Sequence, residues 1–346
     1  MCNIAGYIGD RQAAPILIEM LRRQQVFDGG FATGIATLHN GKIYWKKFIG
    51  NVEEFLKETD LSEFPGTIGI AHTRPIVGPL SHSHPYPSES GMLAMVTNGG
   101  AIPETRKEEK NQLTRDLNKK GYEFITRFSA ESSTAPQLEN GEYVQAVDVM
   151  VNLVENYINE GAVLEEAMVK AMDDMYSERV CVVLKKDIPD AINVCRITRP
   201  MELLLGKGEC YIATTRFGFP EDVEGEMMSL PNMHTVTVTK DGYTVSPYTI
   251  KADKVAEITP MTYKKAYDRI VEMLKEGKDK PKIYDDFENT LHDMPELWNE
   301  QTVCRQHAKV VYDVLWQLKC EGRLKTFLAP QTQKGMTRNL INMYID

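Results

Sequence analysis

The chain opens Met1-Cys2-Asn3-Ile4-Ala5-Gly6-Tyr7-Ile8-Gly9-Asp10, and this start constrains what can be built behind it. Ile4 to Ile8 is an apolar run with one glycine inside it and a Gly-Asp break after it, the pattern of a short buried strand. A chain start built into a sheet is held still. Removal of Met1 would leave Cys2 carrying both a thiol and a free α-amine. An amine with an ordinary pKa of about 7.7 to 8 is partly unprotonated near neutrality, so it can take the thiol proton without any histidine. The thiolate is then a nucleophile. The plain alternative is a cysteine that precedes an ordinary first strand, and the opening alone does not separate the two.

At 346 residues the chain is long enough for one large domain and a smaller one. A net charge of -9 favours solubility and argues against a general nucleic-acid binder. Cys2, Cys181, Cys195, Cys210, Cys304 and Cys320 are scattered, with no CxxC pair and no signal peptide ahead of Cys2, so a reducing cytoplasm is the expected compartment. Cys181, Cys195 and Cys210 lie in apolar runs and are expected in the core. No stretch approaches the roughly 20 apolar residues of a membrane span.

The periodicity predicts a helix over Ala13 to Gln25, then two β-rich runs around Asn40-Gly41, the strongest short hairpin signal. Thr67 to Thr73 and Met92 to Thr97 are two further strands that run into polar turns, where active-site groups collect. Residues 103–120 are highly charged and read as a solvated helix. Val144 to Asn159 and Val163 to Met175 read as amphipathic helices. Six short β runs follow: Val180 to Leu184, Ala191 to Cys195, Glu202 to Leu205, Cys210 to Thr214, Thr235 to Thr239 and Tyr243 to Tyr248. Strands, then helices, then strands again fit two antiparallel sheets with helices outside them. Beyond about Lys254 the pattern turns helical, over Thr262 to Lys275, Asp285 to Leu291, Val303 to Lys319 and Gly335 to Tyr344.

Several motifs in this order resemble the class II glutamine amidotransferases, which are N-terminal-nucleophile hydrolases, and within them the glutaminase domain of glucosamine-6-phosphate synthase. The family opens MCGIVGYIG where this chain has MCNIAGYIG, and its AGIAT is matched by Thr33 to Thr37. Its GHTRW and HNG are matched by Ala71-His72-Thr73-Arg74 and Thr97-Asn98-Gly99. The late segment Pro200 to Thr214 also looks like the family's, and the resemblance covers roughly residues 1–250. It implies an α+β, four-layer αββα N-terminal-nucleophile sandwich over residues 1–252. A small helical, winged-helix-like domain is expected over residues 253–346. It also implies Cys2 as nucleophile, Asn98 and Gly99 as the oxyanion hole, and Arg74 as the grip on the substrate carboxylate. His72 and Thr73 stand beside Arg74 as further substrate-binding candidates. Neither a metal nor a cofactor is expected, although His72, His82 and His84 cluster in the sequence.

The departures from the family pattern fall on recognition of the amino-acid end of glutamine. The family's RGYDSAG becomes Asp28 to Gly34, which puts an acid in place of an arginine near the nucleophile. Its RWATHG shortens to Arg74-Pro75-Ile76-Val77-Gly78, without the Thr and His. Its TDTE, whose Asp takes the substrate α-amine, aligns with Phe128-Ser129-Ala130-Glu131, leaving Glu131, two residues away, as the candidate replacement.

The expectation is therefore a stand-alone glutaminase that acts on L-glutamine. It would be cytoplasmic and homo-oligomeric, passing ammonia to a separate sugar-isomerase or other synthase subunit. An N-terminal cysteine hydrolase of another amide, and a degenerate domain with a sensing or assembly role, are the alternatives. Arg305, Lys309, Lys319, Arg323, Lys325, Lys334 and Arg338 face only Asp313 and Glu321 in residues 301–338. That stretch reads either as a winged helix-turn-helix or as a helical docking or dimerisation element, with the second favoured over a nucleic-acid partner.

Overall fold

Ile4 and Ile8 leave the first strand on one face and Ala5 and Tyr7 on the other, so it must be buried on both sides. A computed structural model describes residues 1–75, 78–99, 106–132, 134–177, 179–250, 255, 257–299, 304–333 and 336–346. The chain begins with β1 (Asn3–Ile8), α1 (Ala13–Gln25) and the hairpin of β2 (Ala32–His39) and β3 (Lys42–Ile49). Asn40 (φ 49°) and Gly41 (φ 70°) form the hairpin turn, with both central residues left-handed as the strand twist requires. Next come α2 (Val52–Lys57), β4 (Ile68–Arg74), the short β5 (Tyr86–Pro87) and β6 (Leu93–Asn98). Three helices follow, α3 (Lys107–Lys119), α4 (Ala146–Asn159) and α5 (Leu164–Asp174). The β run then resumes with β7 (Val180–Lys185), β8 (Ile192–Arg196), β9 (Glu202–Leu205), β10 (Cys210–Ala213), β11 (Glu226–Ser229), β12 (His234–Thr239) and β13 (Gly242–Pro247).

The strands form one sheet in the order β11-β9-β10-β1-β4-β2-β3 and a second in the order β13-β12-β8-β7-β6-β5. Every pairing between them is antiparallel. Ile4, Ile8, Leu38, Ile68 and Ile70 pack between the sheets against Val96, Val180, Val182, Ile192 and Val194. Outside the first sheet, Leu17, Ile18 and Leu21 of α1 cover Ala5, Tyr7 and Ile35. Outside the second, Val149, Leu153 and Met168 of α4 and α5 cover Met95, Cys181 and Cys195. These are the four layers, αββα, and they place β1 near the middle of the first sheet with its N-terminal end at one rim. Gly34 lets the loop after β4 cross β2 closely: a Cβ there would lie 2.0 Å from the His84 carbonyl oxygen.

Three local expectations need correction. The charged helix α3 is not solvated all round; Lys110 and Thr114 are fully buried, and Lys110 Nζ donates to the Asp174 carbonyl at 2.8 Å. β5 and β11 have no counterpart in the strands read from the sequence. The region after residue 255 is not all-helical. It holds α6 (Pro260–Leu274), α7 (Tyr284–Thr290), a small ladder of β14 (Trp298–Asn299) with β15 (Cys304–Arg305), and α8 (His307–Cys320). It ends in an antiparallel hairpin of β16 (Lys325–Gln333) and β17 (Met336–Tyr344). Residues 336–344, read as helix, alternate with period two instead, because Arg338, Leu340 and Asn342 turn inward together. Helices followed by a hairpin are the order of a winged-helix unit. However, α8 is occupied: Trp316 packs on Phe217 at 5.1 Å between ring centroids, and Lys309 Nζ lies 3.4 Å from Glu202. Ile270, Phe287, Leu315 and Met343 share a core with Phe27 of the sandwich and with the side chain of Met1. The expected domain boundary at 252 falls in residues 251–254, outside the described residues.

Candidate active site

β1 delivers Cys2 to the rim of the first sheet, where Asn3 pairs with Thr73 of β4. β6 of the second sheet ends at the same rim, and Asn98 Nδ2 donates to the Cys2 carbonyl at 2.9 Å. Gly99 follows at φ 96°, a conformation that suits glycine, and a Cβ there would stand 3.1 Å from the Arg179 backbone. The two sheet ends open into a cavity of about 540 Å³ lined by Cys2, Arg74, Asn98 and Gly99, among others. Four of the residues expected to act together therefore share one space. Arg74, half-buried, also donates to the His82 carbonyl.

Burial pushes the Cys2 thiol up from its ordinary range, and the chain-start amine, Arg74 and Arg199 oppose it. The α-amine at the chain start is that of Met1. Burial pushes it down, Glu288 and the Cys2 sulfur push it back up, and it forms an ion pair with Asp28.

His72, Thr73 and Glu131 do not line the cavity. His72 is buried beneath it, with Nε2 3.1 Å from the Thr97 carbonyl and its ring against His84 at 3.9 Å between centroids. Burial, aided by Arg74, pushes its pKa down to about 3, so it stays neutral. Thr73 is buried too, and its Oγ1 accepts the Gly30 N–H at 2.7 Å. Both residues carry the rim rather than face a ligand. Glu131 is exposed in a loop. Ile76 and Val77 of the shortened segment lie outside the described residues.

The sequence did not reveal that the C-terminal region walls the cavity. Glu288 of α7 and His307 of α8 line it, together with His292, Arg305 and Arg199. His307 Nε2 and Glu288 Oε1 are 3.1 Å apart, and the Tyr284 hydroxyl donates to the same oxygen at 3.1 Å. Burial pushes the Glu288 carboxyl up, but His307, the chain-start ammonium and Arg199 outweigh it and hold the pKa at about 2. A second contact comes from β17. Arg338 is buried, donates to the Gly29 carbonyl, lies 3.7 Å from Asp28 Oδ1 and stacks over Phe31 at 4.1 Å. A guanidinium from the C-terminal hairpin thus sits against the loop where the resemblance marks a lost arginine. Only the basic character of residues 301–338 hinted at it.

No family model matches the chain. Among curated proteins it is 40% identical over 219 residues to the glutamine–fructose-6-phosphate aminotransferase of Caldanaerobacter subterraneus subsp. tengcongensis, covering 62% of this chain and 31% of that one. The Methanothermobacter thermautotrophicus protein of the same name is 30% identical over 340 residues, covering 92% of this chain and 52% of its own. The Pyrococcus horikoshii one is 29% identical over 295 residues, covering 83% and 45%. The chain thus spans from about a third to about half the length of these relatives. Among solved structures, the glutamine phosphoribosylpyrophosphate amidotransferase of B. subtilis superposes with a TM-score of 0.57 at 14% identity, over 98% of this chain and 71% of that one. A structure described as the allosteric regulatory enzyme of purine biosynthesis gives 0.57 at 16% identity, over 79% and 57%. At such identities these two speak for the fold. From its fold and its sequence relatives together, the chain contains a class II glutamine amidotransferase domain of the N-terminal-nucleophile kind, similar to the glutaminase region of the glutamine–fructose-6-phosphate aminotransferases.

Proposed function

We propose that this chain hydrolyses the side-chain amide of L-glutamine to glutamate and ammonia through a thioester on Cys2, and that the ammonia passes to a synthase on a separate polypeptide. The observation that carries the reading is the convergence of Asn98 and Gly99 on Cys2 at one rim, inside a cavity that also holds Arg74. After loss of Met1, the Cys2 α-amine takes the thiol proton and the sulfur attacks the amide carbon. The carbonyl oxygen becomes an oxyanion that accepts from Asn98 Nδ2 and the Gly99 N–H, each donor worth about 3 to 4 kcal/mol. Collapse breaks the C–N bond, the ammonium proton goes to the leaving nitrogen, and ammonia departs. Water then attacks the thioester, giving its proton to the amine and releasing glutamate and the thiol. Arg74 is suited to grip the α-carboxylate through two parallel hydrogen bonds.

A diazoketone analogue of glutamine tests the reading. It should alkylate Cys2 of the Met1-processed chain, with excess glutamine protecting. Alkylation elsewhere, or none, refutes it. For the acceptor, glutamine labelled with ¹⁵N in the amide should release label to solution in step with glutamate when no other protein is present. Retention of label on a molecule bound to this chain would refute the separate synthase.

A further inference from the structure

An amino-acid donor has two charged ends, and the cavity is not even-handed toward them. Arg74, Arg179, Arg199 and Arg305 all line it, and Glu288 is the one carboxylate among its described lining residues. A donor α-carboxylate has cations to meet, whereas a donor α-ammonium placed at random meets guanidinium. The position that resembles the family's ammonium-binding Asp is Ser129, exposed and away from the cavity, and Glu131 is exposed as well. The sandwich domain thus offers this end of the substrate no carboxylate among the described lining residues.

We propose that Glu288, on α7 of the C-terminal region, is the residue that receives the donor's α-ammonium and so sets the preference for an α-amino acid. The inference rests on the glutaminase reading above. Glu288 is built for such a task. His307 Nε2 at 3.1 Å and the Tyr284 hydroxyl at 3.1 Å fix its carboxylate, while its side chain stays 18% exposed on the cavity side of the module. A carboxylate held this way is ionised before substrate arrives and needs no reorganisation to bind a cation. Cys2 and Glu288 line the same cavity, so a donor held at the nucleophile shares its space with this carboxylate. The C-terminal module then has a reason to be packed over the nucleophile: it completes the donor site.

The test compares kcat/KM for L-glutamine and for its des-amino analogue, 4-carbamoylbutanoate, in the full Met1-processed chain and in Glu288→Gln and Glu288→Asp. A charge-assisted hydrogen bond lost from such a site corresponds to a fall of about 10- to 150-fold. The expected result is a wild type that prefers glutamine. Glu288→Gln should lose that factor on glutamine alone, with the des-amino analogue within about threefold of wild type, and Glu288→Asp should regain part of the preference. Equal losses on both compounds in Glu288→Gln would mean a merely structural role and overturn the inference. A preference unchanged in Glu288→Gln would overturn it while leaving the glutaminase reading intact. A wild type that hydrolyses neither compound would overturn that reading and the inference with it.

Discussion

Arg338→Met removes the guanidinium that joins the C-terminal hairpin to the loop beside the nucleophile, and the structure allows its cost to be worked out. The side chain of Arg338 is 5% exposed and that of Asp28 is 8% exposed, so solvent cannot replace what is lost. Three contacts go: the charged hydrogen bond to the Gly29 carbonyl, the approach to Asp28 at 3.7 Å, and the stacking on Phe31 at 4.1 Å. A hydrogen bond to a charged group contributes about 1.5 to 3 kcal/mol, and a desolvated cation–π contact about 2. Against these stands the cost of burying a guanidinium, visible as a downward push on the Arg338 pKa by burial. Removing one partner of a buried pair typically costs about 3 to 5 kcal/mol. In the chain that retains Met1, Asp28 keeps the Met1 amine and the Gly29 N–H, so the lower end applies, about 3 kcal/mol, or roughly 150-fold in the unfolding equilibrium. Urea unfolding followed by tryptophan fluorescence should show the midpoint falling with the slope unchanged. A cycle with Asp28→Asn should give a coupling energy of about 0.5 to 3 kcal/mol. A loss below about 1 kcal/mol with no coupling would refute the view that this contact holds the two regions together.

Asn98→Ala should lower kcat about 10²- to 10³-fold with little change in KM, because the amide acts on the oxyanion and not on bound glutamine; steady-state kinetics check it. Arg74→Lys should raise KM for glutamine at least tenfold, since an ammonium cannot pair twice with a carboxylate; the same assay decides. Gly34→Ala should cost about 1 to 3 kcal/mol of stability, read by thermal unfolding, because its methyl would meet the His84 carbonyl. Stability should also fall on acidification. His72 takes a proton near pH 6.5 when unfolded and near 3 when folded, so the unfolded state binds more protons between those values. For this residue alone the loss from pH 7 to 5.5 is about 1 kcal/mol, which a pH series of urea midpoints should show and His72→Asn should reduce.

The sandwich was legible because its signals are local. Asn40-Gly41 announces its turn, the continuous apolar run Ile4 to Ile8 announces a strand with two buried faces, and α1 carries an unbroken apolar stripe. The order of Cys2, Arg74 and Asn98-Gly99 likewise identified groups that meet at one rim. The residues the sequence did not reveal act at long range. Glu288 sits on a polar helix of 7 residues, too short to show a face, and Arg338 looks like one more surface cation until the fold turns it inward. β17 was misread because Leu340, Ile341, Met343 and Tyr344 satisfy either period, and only the inward Arg338 and Asn342 decide between them. Thr73 adjoins Arg74 but points to the opposite face of β4, whereas His72 shares Arg74's face and is buried short of the cavity beneath Thr97 and His84; of the three only Arg74 lines it.

The most direct measurement is glutamate release from L-glutamine by the wild-type chain, with loss of Met1 established by intact mass, beside Cys2→Ala. The proposed chemistry predicts glutamate from the wild type and none from the variant. No glutamate from a wild-type chain that has lost Met1 would contradict it.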